Sequence, residues 1–304
     1  MPGKSYSGIL RPLRDSEVEL RDRLKNHVSA LVERIGERNL KHDDALRASV
    51  EFIETELRGA GLQIEEQEYK VSGKSVKNIE VEIRGSARPD EIVVVGAHYD
   101  SVFGSPGAND NASGVAALLE LAREFKNKEV NRTLRFVAFV NEEPPYFQTE
   151  EMGSRVYARR SREKAENIVA MVSLETIGYY SDAENSQVYP FPFSLFYPSV
   201  GNFIGFVGNT SSRPLVRRSI KTFRDDGFPS QGVAAPGWLT GIGWSDQWSF
   251  WKEGYQAIMI TDTAVFRYPY YHRRSDTAEK LDYDRMVRVV SGLSRVIFDC
   301  VQSN

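Results

Sequence analysis

Cysteine, histidine and long apolar runs are all scarce in this chain of 304 residues. The one cysteine, Cys300, cannot form an internal disulfide or a CxxC zinc site, so a bound metal would need His, Asp and Glu as ligands. There are four histidines, at positions 27, 42, 98 and 272. The apolar runs are far shorter than the roughly 18 residues of a membrane span, so no membrane partner is expected.

An excess of positive charge is also absent, with 39 Lys and Arg against 42 Asp and Glu and a net charge of −3. Because nucleic-acid binding depends on neutralising phosphates, we expect no nucleic-acid partner. The sequence begins MPGKSYSGILRPLRDSE, without the apolar segment of a secretory signal. We therefore expect a soluble, cytoplasmic protein, or a secreted one if a signal has been removed. The oligomeric state is left open.

The first 85 residues contain two helical patterns followed by two strand patterns. Apolar residues recur at helical spacing from residue 15 to about 38 and again from 46 to 57, where glycines at 59 and 61 end the second helix. Residues 63–69 and 78–83 alternate between apolar and charged side chains, which is typical of half-exposed antiparallel strands.

Beyond residue 90 the strands become nearly continuous in apolar residues, as in EIVVVGAH, TLRFVAFVNEE, NIVAMVSLE and AIMITDT. Such strands are buried on both faces of a helix-covered sheet. Helical patterns at 112–125 and 155–162 separate the first three, and another at 283–301 ends the chain. This alternation predicts a three-layer α/β fold with a mixed, largely parallel sheet flanked by helices. We expect one domain over 1–304, with the aromatic-rich segment 179–236, which shows no long strand, elaborating the active-site edge.

Residues able to bind metal follow each of these buried strands. They are His98 and Asp100 after the first, Asp110 in the turn before the first crossover helix, Glu142 and Glu143 after the second, Glu175 at the end of the third, and Asp262 and His272 at and beyond the fourth. In open α/β sheets ligands bind beyond the carboxyl ends of the strands, so these side chains should meet in one crevice. The other two histidines, His27 and His42, lie on the N-terminal helices and are expected to be solvated.

A cluster of buried carboxylates is unfavourable unless cations neutralise it. Imidazole and carboxylate ligands without thiolate favour zinc, with manganese or cobalt as alternatives. Five ligand-type residues suit two ions about 3.5–4 Å apart with one bridging carboxylate. The sequence therefore predicts a zinc centre, with two ions per chain.

The motifs HYDS, GANDNASGVAALLELAR, NEE and YHRRSDT, in this order, resemble the co-catalytic zinc aminopeptidase family, which includes glutamate carboxypeptidases and glutaminyl cyclases. The resemblance covers about residues 78–301. It implies that Asp110 bridges the two zinc ions. His98 and Glu175 would complete one site, and Glu143 and His272 the other.

The same resemblance makes Glu142 the general base and acid, and Asp100 the residue that orients the His98 imidazole. Two departures stand out. The family usually has Asp where this chain has Glu175, and Glu reaches further by one methylene. The family often has SDH where this chain has Ser245, Asp246 and Gln247, so a role of that histidine is absent or altered here. Asp246 is still expected to support the ligands from outside the metal sites.

The resemblance implies a hydrolase that releases N-terminal residues from a peptide by attack of a zinc-activated water. Glutaminyl cyclisation, which usually uses one zinc, is the first alternative. A carboxypeptidase, which needs a basic pocket, is the second, with Arg273 and Arg274 as candidates for a substrate carboxylate. A non-catalytic binding protein on the same scaffold is the third. The aromatic residues at 189–197 and the four tryptophans would form either an apolar substrate pocket or ordinary packing.

Overall fold

The computed structural model describes residues 1–225 and 227–303, and its described strands form one mixed sheet. The strands are β1 (Ile64–Val71), β2 (Lys74–Ile83), β3 (Arg88–His98), β4 (Arg132–Phe139), β5 (Asn167–Glu175), β6 (Ile204–Gly208), β7 (Ser230–Ala234) and β8 (Ala257–Thr261). Their order across the sheet is β1-β2-β4-β3-β5-β8-β6-β7. The four central strands, β4, β3, β5 and β8, run parallel, whereas β1, β2 and β4 pair antiparallel and so does β6 with β8.

Helices cover both faces of the sheet. The α-helices are α1 (Asp15–Ser29), α2 (Asp43–Gly59), α3 (Gly114–Phe125), α4 (Gly153–Glu163), α5 (Arg213–Phe223), α6 (Gln247–Lys252) and α7 (Tyr283–Gln302). One layer contains α1, α2, α3, α5 and α7, and the other contains α4 and α6. No helix in the described part of the chain is long and apolar enough to cross a membrane.

Alternation along β3 explains the three layers. Val93 and Val95 pack into the large core beneath α3 and α7, whereas Ile92 and Val94 pack against the smaller core that contains Tyr157 of α4. Successive side chains of a strand point to opposite faces, so a continuous apolar run fills two cores at once. The predicted three-layer α/β fold is confirmed.

The structure of the N-terminal helices corrects the prediction that His27 is solvated. After α1 the chain continues as a π-helical turn, Ala30–Ile35. This turn ends at Gly36, which has φ +89°. His27, predicted to be solvated, is buried because α1 packs against α3, and its Nε2 lies 2.8 Å from Glu120 Oε1. His42 is exposed, as predicted.

The aromatic-rich segment 179–236 contributes to the sheet itself. Its residues form β6, α5 and β7 at the edge opposite β1. Each of these strands has five residues and contains glycine, so neither produces the long apolar pattern that marks the central strands. The part of the segment before β6 carries most of its exposed aromatic side chains, such as Phe191 and Phe196.

Candidate metal centre

The fold brings all five predicted metal ligands to the carboxyl edge of the parallel strands. His98 and Glu175 are the last residues of β3 and β5, and Glu143 follows β4. Asp110 lies in the segment Ala108–Ser113 that leads into α3, and its own backbone is not helical (φ −113°, ψ 92°). His272 comes from the loop after β8, so the five ligand candidates belong to five different segments that converge on one crevice.

The five residues form two groups that share Asp110. In the first, which we call the strand group, His98 Nε2 lies 3.3 Å from Asp110 Oδ1 and 3.2 Å from Glu175 Oε2. In the second, the loop group, His272 Nε2 lies 3.1 Å from Asp110 Oδ2 and 3.3 Å from Glu143 Oε2. Within each group the ligand atoms lie within 4.8 Å of one another. The two oxygens of one carboxylate thus face two separate candidate sites.

Several ligand atoms are buried without a hydrogen bond. Among the described residues, His98 Nε2, His272 Nε2 and Glu143 Oε1 have no hydrogen-bond partner of acceptable geometry. Leaving a buried polar atom unsatisfied is costly, and native proteins rarely do so without a reason. A divalent cation in each group would satisfy these atoms, and a donor set of imidazole and carboxylate without thiolate suits zinc. The residues present therefore fit a metal centre.

Crowding of the carboxylates perturbs their protonation. Burial raises the pKa of Glu142 well above its ordinary value and that of Glu143 to about 8, with nearby carboxylates adding to both shifts. Burial also opposes protonation of the imidazole of His272, but the neighbouring carboxylates of Asp110 and Glu143 raise its pKa to about 10. Protons and positive charge are thus drawn to the crevice, as expected where cations are needed to offset negative charge.

Asp100, which the family resemblance places beside the His98 imidazole, contacts both His98 and the turn after β4. Its two carboxylate oxygens accept the backbone N–H groups of Glu142 and Glu143, each at 3.1 Å. His98 Nδ1 lies 3.2 Å from the Asp100 carbonyl oxygen and 3.5 Å from Asp100 Oδ1. The side chain therefore fixes the turn after β4 and faces Nδ1 of His98, whereas Nε2 faces Asp110 and Glu175.

The SDQ motif lies behind Glu175, at the start of α6. Ser245 Oγ donates a hydrogen bond of 2.8 Å to Glu175 Oε2 and lies 3.1 Å from Ser173 Oγ. Asp246 is fully buried, and burial raises its pKa to about 7. Gln247 is buried and donates an amide hydrogen to the Ile242 carbonyl oxygen at 3.2 Å. The contact of Ser245 with a ligand was not predicted from the sequence.

Asp276, which the sequence analysis also missed, holds the segment around Asp110. Its carboxylate accepts the backbone N–H of Asn109 at 2.8 Å and of Asp110 at 3.2 Å, and Tyr268 donates its hydroxyl hydrogen at 2.6 Å. The signal was present, because this Asp lies in the YHRRSDT motif that contains His272. Nothing in the spacing shows that its side chain reaches back to the backbone at Asp110.

Arg38 anchors the same loop from the other side. Its guanidinium is fully buried and donates to the carbonyl oxygens of Tyr99 at 2.6 Å, Pro106 at 2.5 Å and Gly107 at 2.8 Å. Gly107 has φ +63°, and a Cβ there would lie 2.3 Å from the Asp110 carbonyl oxygen. The buried guanidinium of Arg38 therefore holds the connection between His98 and Asp110. Within this connection, only glycine fits at position 107.

A largely apolar cavity of about 820 Å³, including its open mouth, adjoins the strand group. Its lining includes the candidate ligand Glu175 and also Tyr271, the neighbour of His272. The ring of Tyr271 stacks on His272 with centroids 3.9 Å apart. Arg273 and Arg274, the candidates for a substrate carboxylate, are exposed and are not among the lining residues of this cavity within the described chain.

Residues 78–297 match the model of the family described as Peptidase family M28. The chain is 36% identical over 288 residues to the uncharacterized protein YfbL of Escherichia coli, covering 91% of this chain and 88% of that one. Its fold is similar to that of BSAP, a zinc aminopeptidase from Bacillus subtilis, with a TM-score of 0.76, 16% identity and coverage of 93% and 95%. It is also similar to a glutaminyl cyclase of Fimbriiglobus ruber, with a TM-score of 0.69, 20% identity and full coverage of both chains. This chain therefore belongs to peptidase family M28, and its resemblance to the zinc exopeptidases is confirmed.

Proposed function

We propose that this chain is an aminopeptidase that removes the N-terminal residue of a peptide and uses two zinc ions per chain. The observation that carries the proposal is the pair of ligand groups that share Asp110. Family membership and the fold shared with a zinc aminopeptidase support the reaction class. The sheet with its two helical layers would form a single peptidase domain, since all described strands belong to one sheet.

Each metal site would use three side chains. The strand group His98, Asp110 and Glu175 would hold one ion, and the loop group Asp110, Glu143 and His272 the other. Bound zinc polarises a carbonyl and makes a nucleophile available from water near neutral pH. Asp100 and Asp246 would support the ligands without touching the metal, Asp100 by facing the His98 imidazole.

Glu142 would move the proton. It is buried at the crevice, with Oε2 3.9 Å from His98 Nε2, and its backbone is fixed by Asp100. Glu142 takes a proton from the attacking water and gives it to the leaving amine, which is the work of a general base followed by a general acid. The side chain of the neighbouring Glu143 points to His272 instead, because the turn after β4 directs the two side chains to different parts of the crevice.

Glutaminyl cyclisation is the second candidate, because the fold matches that of a glutaminyl cyclase along the whole chain. In that reaction Glu142 would carry a proton between the substrate amine and amide, usually with one zinc ion. Carboxypeptidase activity has less support. A substrate carboxylate needs a basic partner, and the described residues that line the cavity include no Lys or Arg.

The test is product analysis by mass spectrometry with metal-loaded protein, given aminoacyl anilides and a peptide that begins with glutamine. Glu142→Gln should keep two ions and lower turnover by roughly 10²–10⁴-fold, because it removes the base and keeps the shape. The matched control, Glu143→Gln, should lose an ion. Pyroglutamate as the main product would favour the cyclase, and full activity of Glu142→Gln would contradict both reactions.

A further inference from the structure

Two arginines directly follow the candidate ligand His272 and have no partner of their own. Arg273 and Arg274 are exposed. Among the residues that the structure describes, neither guanidinium takes part in an ion pair or a side-chain hydrogen bond. The next carboxylates along the chain are engaged elsewhere, because Asp276 accepts two backbone N–H groups and Glu279 accepts a neighbouring threonine hydroxyl. The pair therefore presents two positive charges without a local countercharge.

The backbone holds this pair close to the loop group. His272 has φ +57° within a turn that the Arg273 N–H closes by donating to the Tyr270 carbonyl oxygen at 3.1 Å. A second turn follows, in which the Asp276 N–H donates to the Arg273 carbonyl oxygen at 3.0 Å. The Asp276 carboxylate in turn accepts the backbone N–H of Asp110 at 3.2 Å. The two turns thus keep the arginines beside the metal ligands, where an extended chain would carry them away.

The crevice opens to solvent beside the loop group. The side chain of His272 is 31% exposed, whereas those of the other four candidate ligands are at most 7% exposed. Next to Glu143, Pro144 and Pro145 are exposed as well. The released part of a peptide leaves a metal centre through its open side, so it would pass the two arginines.

Negative charge in the crevice makes these arginines important for an anionic end of a substrate. Four buried carboxylates lie there, three from the candidate ligands and one from Glu142, and like charges repel a substrate carboxylate. The cavity beside Glu175 includes no Lys or Arg among its described lining residues. Arg273 and Arg274, by contrast, carry planar guanidinium groups, which can bind a carboxylate with two parallel hydrogen bonds.

The position of the pair next to His272 limits the length of peptide that it can serve. An extended chain advances by at most about 3.3–3.6 Å per residue, so a carboxylate two residues beyond the scissile bond lies within about 7 Å of it. The carboxylate of a hexapeptide, five residues beyond that bond, can lie about 18 Å away. Because Arg273 is adjacent to His272 in the chain, the pair matches the shorter span.

We propose that Arg273 and Arg274 bind the free C-terminal carboxylate of short peptides, so that dipeptides and tripeptides are the preferred substrates. This inference rests on the proposed aminopeptidase function and adds the substrate class. The contact is made equally in the ground state and in the transition state, so it should lower KM rather than raise kcat. A dipeptide should exceed its C-terminal amide by about 5–10-fold in kcat/KM, as for a bidentate pair that stays partly hydrated. Because salt screens exposed charges, this preference should shrink at high ionic strength.

The test compares kcat and KM for alanyl-alanine, trialanine and hexaalanine with those for their C-terminal amides, using metal-loaded protein. The wild-type chain should prefer the free acid for the two shorter peptides, and Arg273→Gln/Arg274→Gln should treat acid and amide alike. Arg217→Gln is the matched control, because Arg217 is exposed on α5 and has no ion pair among the described residues. It should keep the wild-type preference.

A second variant guards against damage to the loop group, whose ligand His272 is adjacent to the pair. Arg273→Lys/Arg274→Lys keeps both charges but not the planar fork, so it should keep part of the preference for the free acid. Metal content and melting temperature are measured for every variant.

Calorimetry gives a readout without turnover. Metal-loaded Glu142→Gln, which lacks the proposed base, should bind alanyl-alanine about 5–10-fold more tightly than its amide. Adding the two Arg→Gln changes to this protein should remove the difference.

The outcomes separate the two proposals. If no peptide or amide is hydrolysed, the aminopeptidase function fails, and the calorimetry still decides whether the arginines bind a carboxylate. If acids and amides are hydrolysed equally by the wild-type chain, or the preference survives in the Gln variant, the arginine inference is overturned while the aminopeptidase stands. An equal preference with hexaalanine overturns the length limit. Release of the C-terminal residue from N-acetyl-trialanine overturns the inference as well, because the arginines would then serve a carboxypeptidase.

Discussion

The strand group and the loop group share Asp110 but are supported in opposite ways. In the strand group, His98 and Glu175 are the last residues of central strands, and the side chain of His98 is fully buried. In the loop group, His272 lies in the loop after β8, has φ +57°, and its side chain is 31% exposed. Regular structure in the core opens rarely, whereas exposed loops open at low free-energy cost. We therefore expect the strand group to hold its metal more firmly.

The comparison also concerns the supporting contacts. His98 faces Asp100, and Glu175 accepts a hydrogen bond from Ser245, so both ends of the strand group are fixed by polar partners. His272 is supported instead by stacking on Tyr271. Asp110, common to both groups, is held by backbone contacts with Asp276. The two groups thus share Asp110 and the support of Asp100, but their histidines are held in different ways, which makes the difference testable.

The largest expected effect separates His98→Ala from His272→Ala. Removing His98 leaves the buried Glu175 without the imidazole that lies 3.2 Å from it, and breaking such a buried pair costs about 3–5 kcal/mol. We expect a much lower melting temperature and loss of the strand-group ion. His272→Ala should lose the loop-group ion and lower the melting temperature less, because the side chain of His272 is 31% exposed and water can take its place beside Glu143. Calorimetry with metal analysis measures both, and equal destabilisation by the two changes would remove the distinction.

Arg38 provides the next test. Arg38→Met removes the donors to the loop between His98 and Asp110 and leaves the buried carbonyl oxygens of Tyr99 and Gly107 without them, at about 1–3 kcal/mol for each unsatisfied group. Metal affinity of both groups should fall, since the loop positions their shared ligand. Arg38→Lys keeps the charge but not the planar fork of donors, so it should restore affinity only in part. Full restoration by Lys, measured by metal titration, would show that charge rather than positioning matters.

Asp276→Asn should have a smaller effect, because the change preserves size and one carbonyl acceptor. Weakening a residue that orients a metal ligand typically lowers metal affinity by about 10–100-fold. Both ions should be affected, since Asp276 acts on Asp110. Tyr268→Phe removes one donor to the same carboxylate and serves as a milder control. Unchanged affinity in Asp276→Asn, determined by competition with a chelating dye, would mean that the backbone contacts do not position the bridge.

The smallest effect is expected for Glu175→Asp, which installs the residue usual in the family. Two ions should remain, with the strand-group ion bound somewhat less firmly because the shorter side chain loses reach towards Ser245. Glu175→Ala should lose that ion and most turnover. Metal counting after dialysis distinguishes the two variants. Retention of two ions by Glu175→Ala would exclude Glu175 as a ligand.

The sequence predicted the location of those candidate site residues that lie at or just after the ends of the central strands. His98, Glu142, Glu143 and Glu175 each follow a continuous apolar run, and such runs become parallel central strands whose ends meet at one edge. The structure places these residues together for that reason. Their roles remain predictions until the variants are measured.

Contacts between distant segments could not be read from the sequence. Arg38 reaches the loop after β3 only because the N-terminal helices fold onto α3. The spacing of residues near Arg38 in the sequence does not indicate this packing. The prediction that His27 is solvated was wrong for the same reason. A helix that packs on another helix can bury polar residues, which its own sequence pattern does not show. The short strands β6 and β7 have too few residues for a periodic signal.

A count of zinc per chain by mass spectrometry, in the wild-type protein and in Asp110→Ala, tests the central claim most directly. The claim is that one carboxylate, Asp110, bridges two metal sites. The wild-type chain should bind two ions, and Asp110→Ala should retain fewer than one because both groups lose a shared ligand. A wild-type count of one ion, or an Asp110→Ala variant that still binds one or more ions firmly, would contradict the account.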